Sequence, residues 1–176
     1  MKKIVLYFLV SAALIACTNQ GTKTTNNDDA NIKKFKENTK IVEAALIAFA
    51  IHDLKEWASY HADSVKWHSA SYGQDAADTS LNMSAVLSRL EGFHKIVKNI
   101  TVKVDGFVPG LDTATFKPDG SVRAYIRWSG ESASNGSKIS QKYYCVYTFN
   151  ENHKIVDVDE YFDATGTVQA AIAPKK

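Results

Sequence analysis

Cysteine is scarce in this chain of 176 residues, and its two copies, Cys17 and Cys145, stand far apart. Cys17 belongs to an N-terminal segment with its own purpose, which leaves Cys145 as the one thiol of the rest of the chain. A fold held together by disulfides is therefore excluded, and stability must come from a hydrophobic core. Cys145 stands in the middle of a strand pattern, and we interpret it as a small buried residue.

The motifs of several chemistries are absent as well. No Cys-x-x-Cys occurs and no two histidines lie four residues apart, so the sequence shows no zinc-site spacing. A Gly-rich phosphate loop and a Gly-x-Ser-x-Gly turn are also missing, which leaves nucleotide use and serine-type hydrolysis without support. We accordingly expect no metal and no cofactor.

An excess of charge of one sign is lacking too. The chain has 21 Lys and Arg against 19 Asp and Glu, and two of the lysines, Lys2 and Lys3, fall in an N-terminal segment that we expect to be removed. The remainder is formally neutral and has no cluster of basic residues. We therefore expect no nucleic-acid partner.

The N-terminal segment has the order of an export signal. Lys2 and Lys3 precede an apolar run over residues 4–10, which is too short to span a bilayer, and small residues follow up to Leu14-Ile15-Ala16-Cys17. The last four residues resemble the lipobox of bacterial lipoproteins. That resemblance implies cleavage of residues 1–16, acylation of Cys17, and a membrane-anchored lipoprotein of the cell envelope that faces the periplasm or the exterior. An ordinary cleaved signal with an incidental cysteine is the alternative.

The rest of the chain divides into a tether, a domain and a tail. Residues 17–30 comprise the acylated cysteine and a polar stretch without large apolar residues, which predicts a flexible tether because it cannot bury enough surface to offset the entropy of ordering. We place one domain at residues 31–166, a size that can enclose a core, and a tail with little signal at residues 167–176.

Three helices are predicted ahead of most of the strands. Asp28 or Asp29 is the expected N-cap of a long first helix, in which apolar residues recur at helical spacing. Asp53 and Glu56 have the form of a capping box for a short second helix. A third helix is indicated by the apolar face of Val86, Leu90, Phe93 and Val97.

A period of two predicts the strands. They cover residues 64–69, 101–108, 122–129, 139–149 and 154–163, with a loop at 71–82 and polar turns at 131–136 and 150–153. Helices followed by strands in hairpins favour an α+β fold, with three N-terminal helices packed on one face of a curved antiparallel sheet.

This order of elements resembles the nuclear transport factor 2-like superfamily, and within it the SnoaL-like branch. The resemblance rests on the long first helix, on the short helix that runs into residues 60–68, and on the final hairpin that ends at residues 154–163. It implies a cone-shaped fold with a pocket between helices and sheet, often in a homodimer. The chemistry of this superfamily is diverse, so the fold does not settle the function.

The limonene epoxide hydrolase branch offers a comparison residue by residue. Its terminal-strand acid corresponds to Glu160 and its arginine to Arg127, whereas its second aspartate falls on Ser129. Its water-orienting tyrosine and asparagine fall on Lys66 and His68. Three positions therefore depart from the catalytic pattern of that branch.

The resemblance also supplies candidate site residues, because it turns one face of the strand at 122–129 toward the pocket. It pairs Arg127 with Glu160 and places His68 near them; we regard these three as candidate catalytic residues, with the imidazole as the best general acid or base. The predicted ligand-binding residues surround them: Lys66, Tyr60, Trp57, Tyr125, Ser129, Tyr144 and Phe93. A purely structural ion pair and a structural histidine are the alternative interpretations.

Two functions follow from these residues. The first is a membrane-tethered domain whose pocket binds a small, mostly apolar ligand without catalysis. The second is a SnoaL-like enzyme, namely an isomerase, dehydratase, cyclase or hydrolase that uses acid/base chemistry in the same pocket. The incomplete set of catalytic positions favours the first.

Overall fold

A computed structural model describes residues 26–70 and 80–174 of the chain. The predicted signal peptide, the acylation of Cys17, the first part of the tether and residues 71–79 of the predicted loop at 71–82 lie outside the described residues. Within them, no helix combines the length and the apolar character that crossing a bilayer requires.

Four helices occur in the described residues: α1 (Asn26–Ala50), α2 (Leu54–Ser59), α3 (Met83–Ile96) and α4 (Ala164–Ile172). α1 begins five residues before the predicted domain boundary, so the end of the predicted tether is helical. Asp28 and Asp29 therefore lie in its first turn and not at its N-cap, where their charges still favour the positive end of the helix. Asp28 also forms an ion pair with Lys117 at 3.3 Å.

The junction between α1 and α2 follows the predicted capping signal in part. Asp53 is the N-cap of α2, and its side chain accepts a hydrogen bond from the backbone N–H of Glu56 at 2.9 Å. The carboxylate of Glu56 does not return the bond, because the Asp53 N–H already donates to the carbonyl of Ala48. Glu56 instead accepts from the hydroxyl of Tyr60 at 2.5 Å.

In the part of the chain that the structure describes, five strands form one curved mixed sheet: β1 (His61–His68), β2 (Val97–Leu111), β3 (Pro118–Ser132), β4 (Lys138–Phe149) and β5 (Ile155–Tyr161). Their order is β1-β5-β4-β3-β2. Strands β2 to β5 are antiparallel neighbours, but β1 pairs with β5 in parallel. The prediction of a wholly antiparallel sheet is therefore wrong for β1. Between β1 and its parallel partner β5, the chain passes through α3, β2, β3 and β4, a long connection of the kind that parallel strands require.

The core lies between α1 and the inner face of the sheet. Val42, Ala45 and Ala48 are buried on α1, and Val122 and Ala124 are fully buried on β3. Even-numbered residues of β3 between 122 and 128 thus point inward, and odd-numbered ones point away from the helices. This orientation decides which side chains reach the interior.

The fourth helix begins inside the predicted domain and continues into the predicted tail at residues 167–176, a segment with little signal in the sequence. Asp163 caps α4 by accepting a hydrogen bond from the N–H of Gly166 at 2.8 Å. The hydroxyl of Ser132 donates to the carbonyl of Ala171 at 2.6 Å, near the other end of the helix. α4 is therefore fastened to the β3–β4 end of the sheet, where it helps to close the interior.

Candidate functional site

A cavity of about 250 Å³ lies between the helices and the inner face of the sheet. Its wall is mainly apolar and aromatic, and all three tryptophans of the chain contribute to it. The lining residues are Leu46, Phe49, Trp57, Trp67, Arg89, Leu90, Phe93, Ile96, Val102, Ile126, Trp128, Tyr143, Tyr147, Glu160, Phe162, Ala164, Thr167 and Val168. Such a concave apolar space with few polar groups is typical of a small-molecule site.

One carboxylate stands in this apolar wall. Glu160 has a side chain that is 8% exposed, and its Oε1 accepts a hydrogen bond from the hydroxyl of Tyr143 at 2.6 Å. Its Oε2 lies 3.5 Å from Nη1 of Arg89 but accepts no hydrogen bond from the described residues. A buried polar atom without a hydrogen bond is costly in a stable fold, which marks Oε2 as a functional candidate.

The strand register explains why Glu160 faces inward. The α-carbon of Glu160 is opposite that of Cys145 on β4, and Cys145 is opposite Ala124 on β3. Residues directly opposite each other in a sheet share a face, and Cys145 and Ala124 are fully buried. Glu160 therefore belongs to the same inward row.

The tyrosines beside Glu160 are kept protonated. Burial raises the pKa of Tyr143 well above its usual value, and the nearby Cys145 and Glu160 raise it further. Burial likewise raises the pKa of Tyr147. Tyr143 therefore keeps a neutral hydroxyl, which donates a charge-assisted hydrogen bond to the Glu160 carboxylate.

Arg89 brings the cation of the site. It lies on the face of α3 that also carries Val86 and Phe93, three residues before and four residues after it. Its long apolar stem can follow that face while the guanidinium reaches Glu160 and donates a hydrogen bond to the hydroxyl of Ser69. The side chain of Arg89 is 33% exposed, so the cation of this ion pair is in contact with solvent while the carboxylate is buried.

Three of the residues predicted from the sequence line the cavity. Glu160 supplies its carboxylate, Trp57 comes from α2, and Phe93 comes from α3, where its ring meets Trp128 edge-on at 5.1 Å between centroids. Tyr60 is not part of the lining, since its hydroxyl binds Glu56.

The predicted inward face of β3 is wrong. Arg127 points away from the cavity and forms an ion pair with Asp105 at 2.5 Å, so it does not pair with Glu160. Tyr125 and Ser129 are exposed on the same outer face. Between residues 122 and 128, the buried residues of β3 are the apolar ones at even positions. Turning this face inward removes more apolar surface from water than turning the opposite face inward would.

Tyr144 also lies on the outer face of the sheet. Its hydroxyl accepts a hydrogen bond from Nη1 of Arg123 at 3.1 Å, and its ring packs beside Tyr125 at 5.0 Å and Tyr161 at 5.5 Å. The inward position predicted for Tyr144 belongs instead to its neighbour in sequence, Tyr143.

The two candidates on β1 point outward as well. Trp67 is buried and lines the cavity, which places its neighbours Lys66 and His68 on the opposite face. His68 lies with its Nε2 3.5 Å from Oδ2 of Asp157. The structure thus leaves the imidazole and the Arg127 guanidinium outside the cavity that holds Glu160.

Sequence reasoning missed Tyr143 and Arg89, although each had a signal. Cys145 was correctly interpreted as buried, and a period of two from it places Tyr143 and Tyr147 on the inner face. Arg89 is a lone cation on the apolar face of a helix, which is a position that needs a buried partner or a route to water.

No protein-family model matches the chain, and no curated protein matches its sequence. Solved structures do match its fold. An NTF2-like protein of unknown function from Exiguobacterium sp. 255-15 aligns with a TM-score of 0.56 at 15% identity, over 71% of this chain and 99% of its own.

Two further structures support the same assignment. A protein from Catenulispora acidiphila with a ketosteroid isomerase-like fold, in complex with trimethylamine, has a TM-score of 0.59 at 10% identity and covers 76% of this chain and 93% of its own. IdmH from Streptomyces antibioticus, a candidate polyketide cyclase, has a TM-score of 0.61 at 13% identity over 76% and 96%. The chain therefore has the nuclear transport factor 2-like fold, which by itself does not fix an activity.

Proposed function

We propose that this chain is a membrane-tethered envelope lipoprotein whose NTF2-like domain binds a small, mostly apolar ligand that carries one hydrogen-bond donor. The observation that carries this proposal is Oε2 of Glu160 at the wall of an apolar cavity: this buried carboxylate oxygen lies 3.5 Å from Nη1 of Arg89 and accepts no hydrogen bond from the residues that the structure describes.

The size and lining of the cavity support the first half of the ligand description. A dry apolar cavity of about 150 Å³ can hold benzene, so a space of about 250 Å³ corresponds to about ten non-hydrogen atoms. Aromatic walls such as Trp57, Trp67 and Trp128 favour the burial of a hydrocarbon body.

Glu160 supports the second half. A hydroxyl or amine on the ligand would complete the hydrogen bonds of the carboxylate, with Tyr143 on Oε1 and the ligand on Oε2. Hydrogen bonds to charged groups contribute about 1.5–3 kcal/mol, so a ligand that lacks the donor should bind at least tenfold more weakly.

The test compares two ligands of the same size. Because all three tryptophans line the cavity, their fluorescence reports occupancy when purified protein is titrated with 2-decalol or with 2-methyldecalin. We expect the alcohol to bind at least tenfold more tightly. Equal affinities, or no fluorescence change with either compound, would contradict the proposal.

Two variants separate the carboxylate from general effects. Glu160→Leu should abolish the preference for the alcohol while it keeps an apolar wall. Glu151→Gln removes a carboxylate from an exposed turn and should leave both affinities unchanged. A preference that survives in Glu160→Leu would assign the hydrogen-bond acceptor to another residue.

An enzyme is the second candidate, and the contact between Glu160 and Tyr143 favours it. A carboxylate, a neutral phenol and the Arg89 guanidinium together provide a base, a proton donor and a charge stabiliser within one cavity. The reaction class they suit is proton transfer next to a carbonyl group. His68 and Arg127 have no part in this version, since they face away from the cavity.

That candidate has its own measurement. Incubation with 2-decalone in D₂O, followed by NMR, would show deuterium incorporation next to the ketone if Glu160 removes a proton there. Glu160→Gln should abolish the exchange, and Arg127→Gln should not change it. Exchange no faster than in buffer alone would contradict the enzyme candidate for this substrate and would favour the non-catalytic binding domain.

The membrane anchor is tested separately from the cavity. We expect the chain to incorporate radiolabelled palmitate in a bacterial host and to sediment with membranes, because acyl chains on Cys17 would bury many methylene groups in the bilayer. Cys17→Ser should lose both properties. An unlabelled wild-type chain in the soluble fraction would favour an ordinary cleaved signal.

We also propose that the domain forms a homodimer through the outer face of the sheet. Tyr125 and Tyr161 are 49% and 52% exposed there and flank Tyr144, so the face presents a continuous aromatic surface. Native mass spectrometry should show a dimer, and Tyr125→Glu should convert it to a monomer. A monomeric wild-type protein at micromolar concentration would refute this.

A further inference from the structure

We propose that His68, Asp157 and Asp159 form a site for one divalent transition-metal ion, with Zn²⁺ as the best-suited ion, on the face of the sheet opposite the cavity. One ligand atom from each of the three side chains lies within 4.8 Å of the other two. Nε2 of His68 is 3.5 Å from Oδ2 of Asp157.

The strand pairing brings these groups together. β1 and β5 are parallel neighbours, and the α-carbon of His68 is opposite that of Asp159. Asp157 lies two residues before Asp159 on the same strand, so its side chain emerges on the same face. The buried Trp67 and Val158, which are also opposite each other, fix that face as the outer one.

The ligand types match the chemistry of zinc. An imidazole nitrogen and two carboxylate oxygens form a three-residue set of the kind that leaves a further position for water. Bond lengths of about 2.0 Å in a tetrahedral site separate the ligand atoms by about 3.3 Å, so the side chains must draw together by only about 1.5 Å. The imidazole favours a transition metal over Mg²⁺, which prefers an all-oxygen shell.

The charges around the site also favour a cation. Two carboxylates stand on neighbouring positions of one strand face, and within the described ranges Asp159 has no ion-pair partner. Lys66 is opposite Asp157 in the register, but in the same part of the chain no ion pair joins its ammonium to either aspartate. The two carboxylates thus face a single imidazole, which contacts Asp157, and a divalent ion that all three side chains can reach would balance their charge.

This site was invisible to motif analysis because its ligands come from strands that are far apart in sequence. Its accessibility differs from that of the cavity, since the side chains of His68 and Asp157 are 39% and 34% exposed. An ion there would connect the edge strand β1 to β5, where the pairing has an irregularity between His61 and Lys66. The expected consequence is a stronger attachment of this edge strand.

The test is calorimetric titration of ZnCl₂ into purified, EDTA-treated protein that carries no histidine tag. We expect one zinc ion per chain, little heat with MgCl₂, and a higher melting temperature in the presence of zinc. His68→Gln and Asp159→Asn should each weaken zinc binding at least tenfold. Circular dichroism of the metal-free proteins checks that both variants fold.

Two control variants exclude binding elsewhere. Asp63→Asn changes an exposed aspartate of the same strand outside the site, and His52→Asn removes an exposed imidazole that lies 3.3 Å from Glu91. Both should bind zinc like the wild type. The proposal is overturned if folded Asp159→Asn and His68→Gln bind zinc as tightly as the wild type, or if the wild type binds none at millimolar concentration.

Discussion

Acid sensitivity of the fold should depend on one buried histidine. His61 is 5% exposed, its ring is stacked on that of Trp57 at 3.9 Å between centroids, and its Nδ1 lies 2.9 Å from the carbonyl oxygen of Trp57. Its Nε2 is buried without a hydrogen bond from the described residues. The pKa of His61 is lowered from 6.5 to about 4, chiefly because the imidazole is buried; the hydrogen bond to the Trp57 carbonyl opposes this shift, and the charge of Lys154 adds to it.

The sign follows from which state takes the proton first. In the unfolded chain His61 is protonated below its ordinary pKa of 6.5, whereas in the folded state its imidazole stays neutral until the pH approaches about 4. Its contribution is therefore complete above pH 6.5 and is lost as the pH falls toward 4. The full difference corresponds to about 3 kcal/mol of unfolding free energy, of which about 2 kcal/mol is lost between pH 8 and pH 5.

The assay is urea unfolding at pH 8 and pH 5, followed by circular dichroism. We compare the wild type with His61→Phe, which keeps an aromatic ring against Trp57 but cannot be protonated. The Trp57 carbonyl still accepts the N–H of Tyr60 at 3.3 Å, so the substitution does not leave it without a donor. The other titrating groups are common to both proteins and cancel in the comparison.

The wild type should lose about 2 kcal/mol more than His61→Phe over this range. The control is Thr113→Ala, since Thr113 is exposed and carries no titratable group; it should keep the pH dependence of the wild type. Equal losses in the wild type and in His61→Phe would refute the reasoning that burial holds His61 neutral.

Three further outcomes are expected. Asp53→Ala removes the N-cap of α2 and should lower the unfolding free energy by about 1 kcal/mol in urea; an unchanged midpoint would contradict the cap. Ser132→Ala removes the hydrogen bond to the Ala171 carbonyl and should speed amide hydrogen exchange in α4 about fivefold, with no change in α1. Cys145 is buried, and burial raises the pKa of its thiol, so in a Cys17→Ser protein it should react with a disulfide reagent only after denaturation; fast labelling of the native protein would contradict this.

Local patterns predicted most of the elements because their causes are local. A helical period and the Asp53 cap located α1 and α2, and a period of two located all five strands to within a few residues. α4 escaped because its nine residues carry a weak pattern and its carbonyls are held by Ser132 and Asn135, which lie more than thirty residues earlier in the chain. The parallel pairing of β1 with β5 was not predicted for the same reason, since a pairing between distant strands leaves no local pattern.

The site was predicted less well than the fold, because a period of two gives the alternation of a strand but not its phase. The resemblance suggested that Arg127 faces inward, while the apolar residues at positions 122, 124, 126 and 128 indicated the opposite phase from the sequence itself. A shift of one residue moves every side chain of a strand to the other face. Because the phase of β3 was predicted incorrectly, Arg127, Tyr125 and Ser129 were all assigned to the inner face of the sheet.

Sheet register shows that the predicted ion pair was also inconsistent with a second prediction. Glu160, Cys145 and Ala124 form one row across β5, β4 and β3, and residues of one row share a face. If Cys145 is buried, as its strand pattern indicated, then Glu160 and Ala124 must face inward with it. Arg127, an odd number of residues from Ala124, must then face outward. One buried residue and the hairpin register together therefore determine the phase of three strands, which is information that neither periodicity nor a distant resemblance supplies alone.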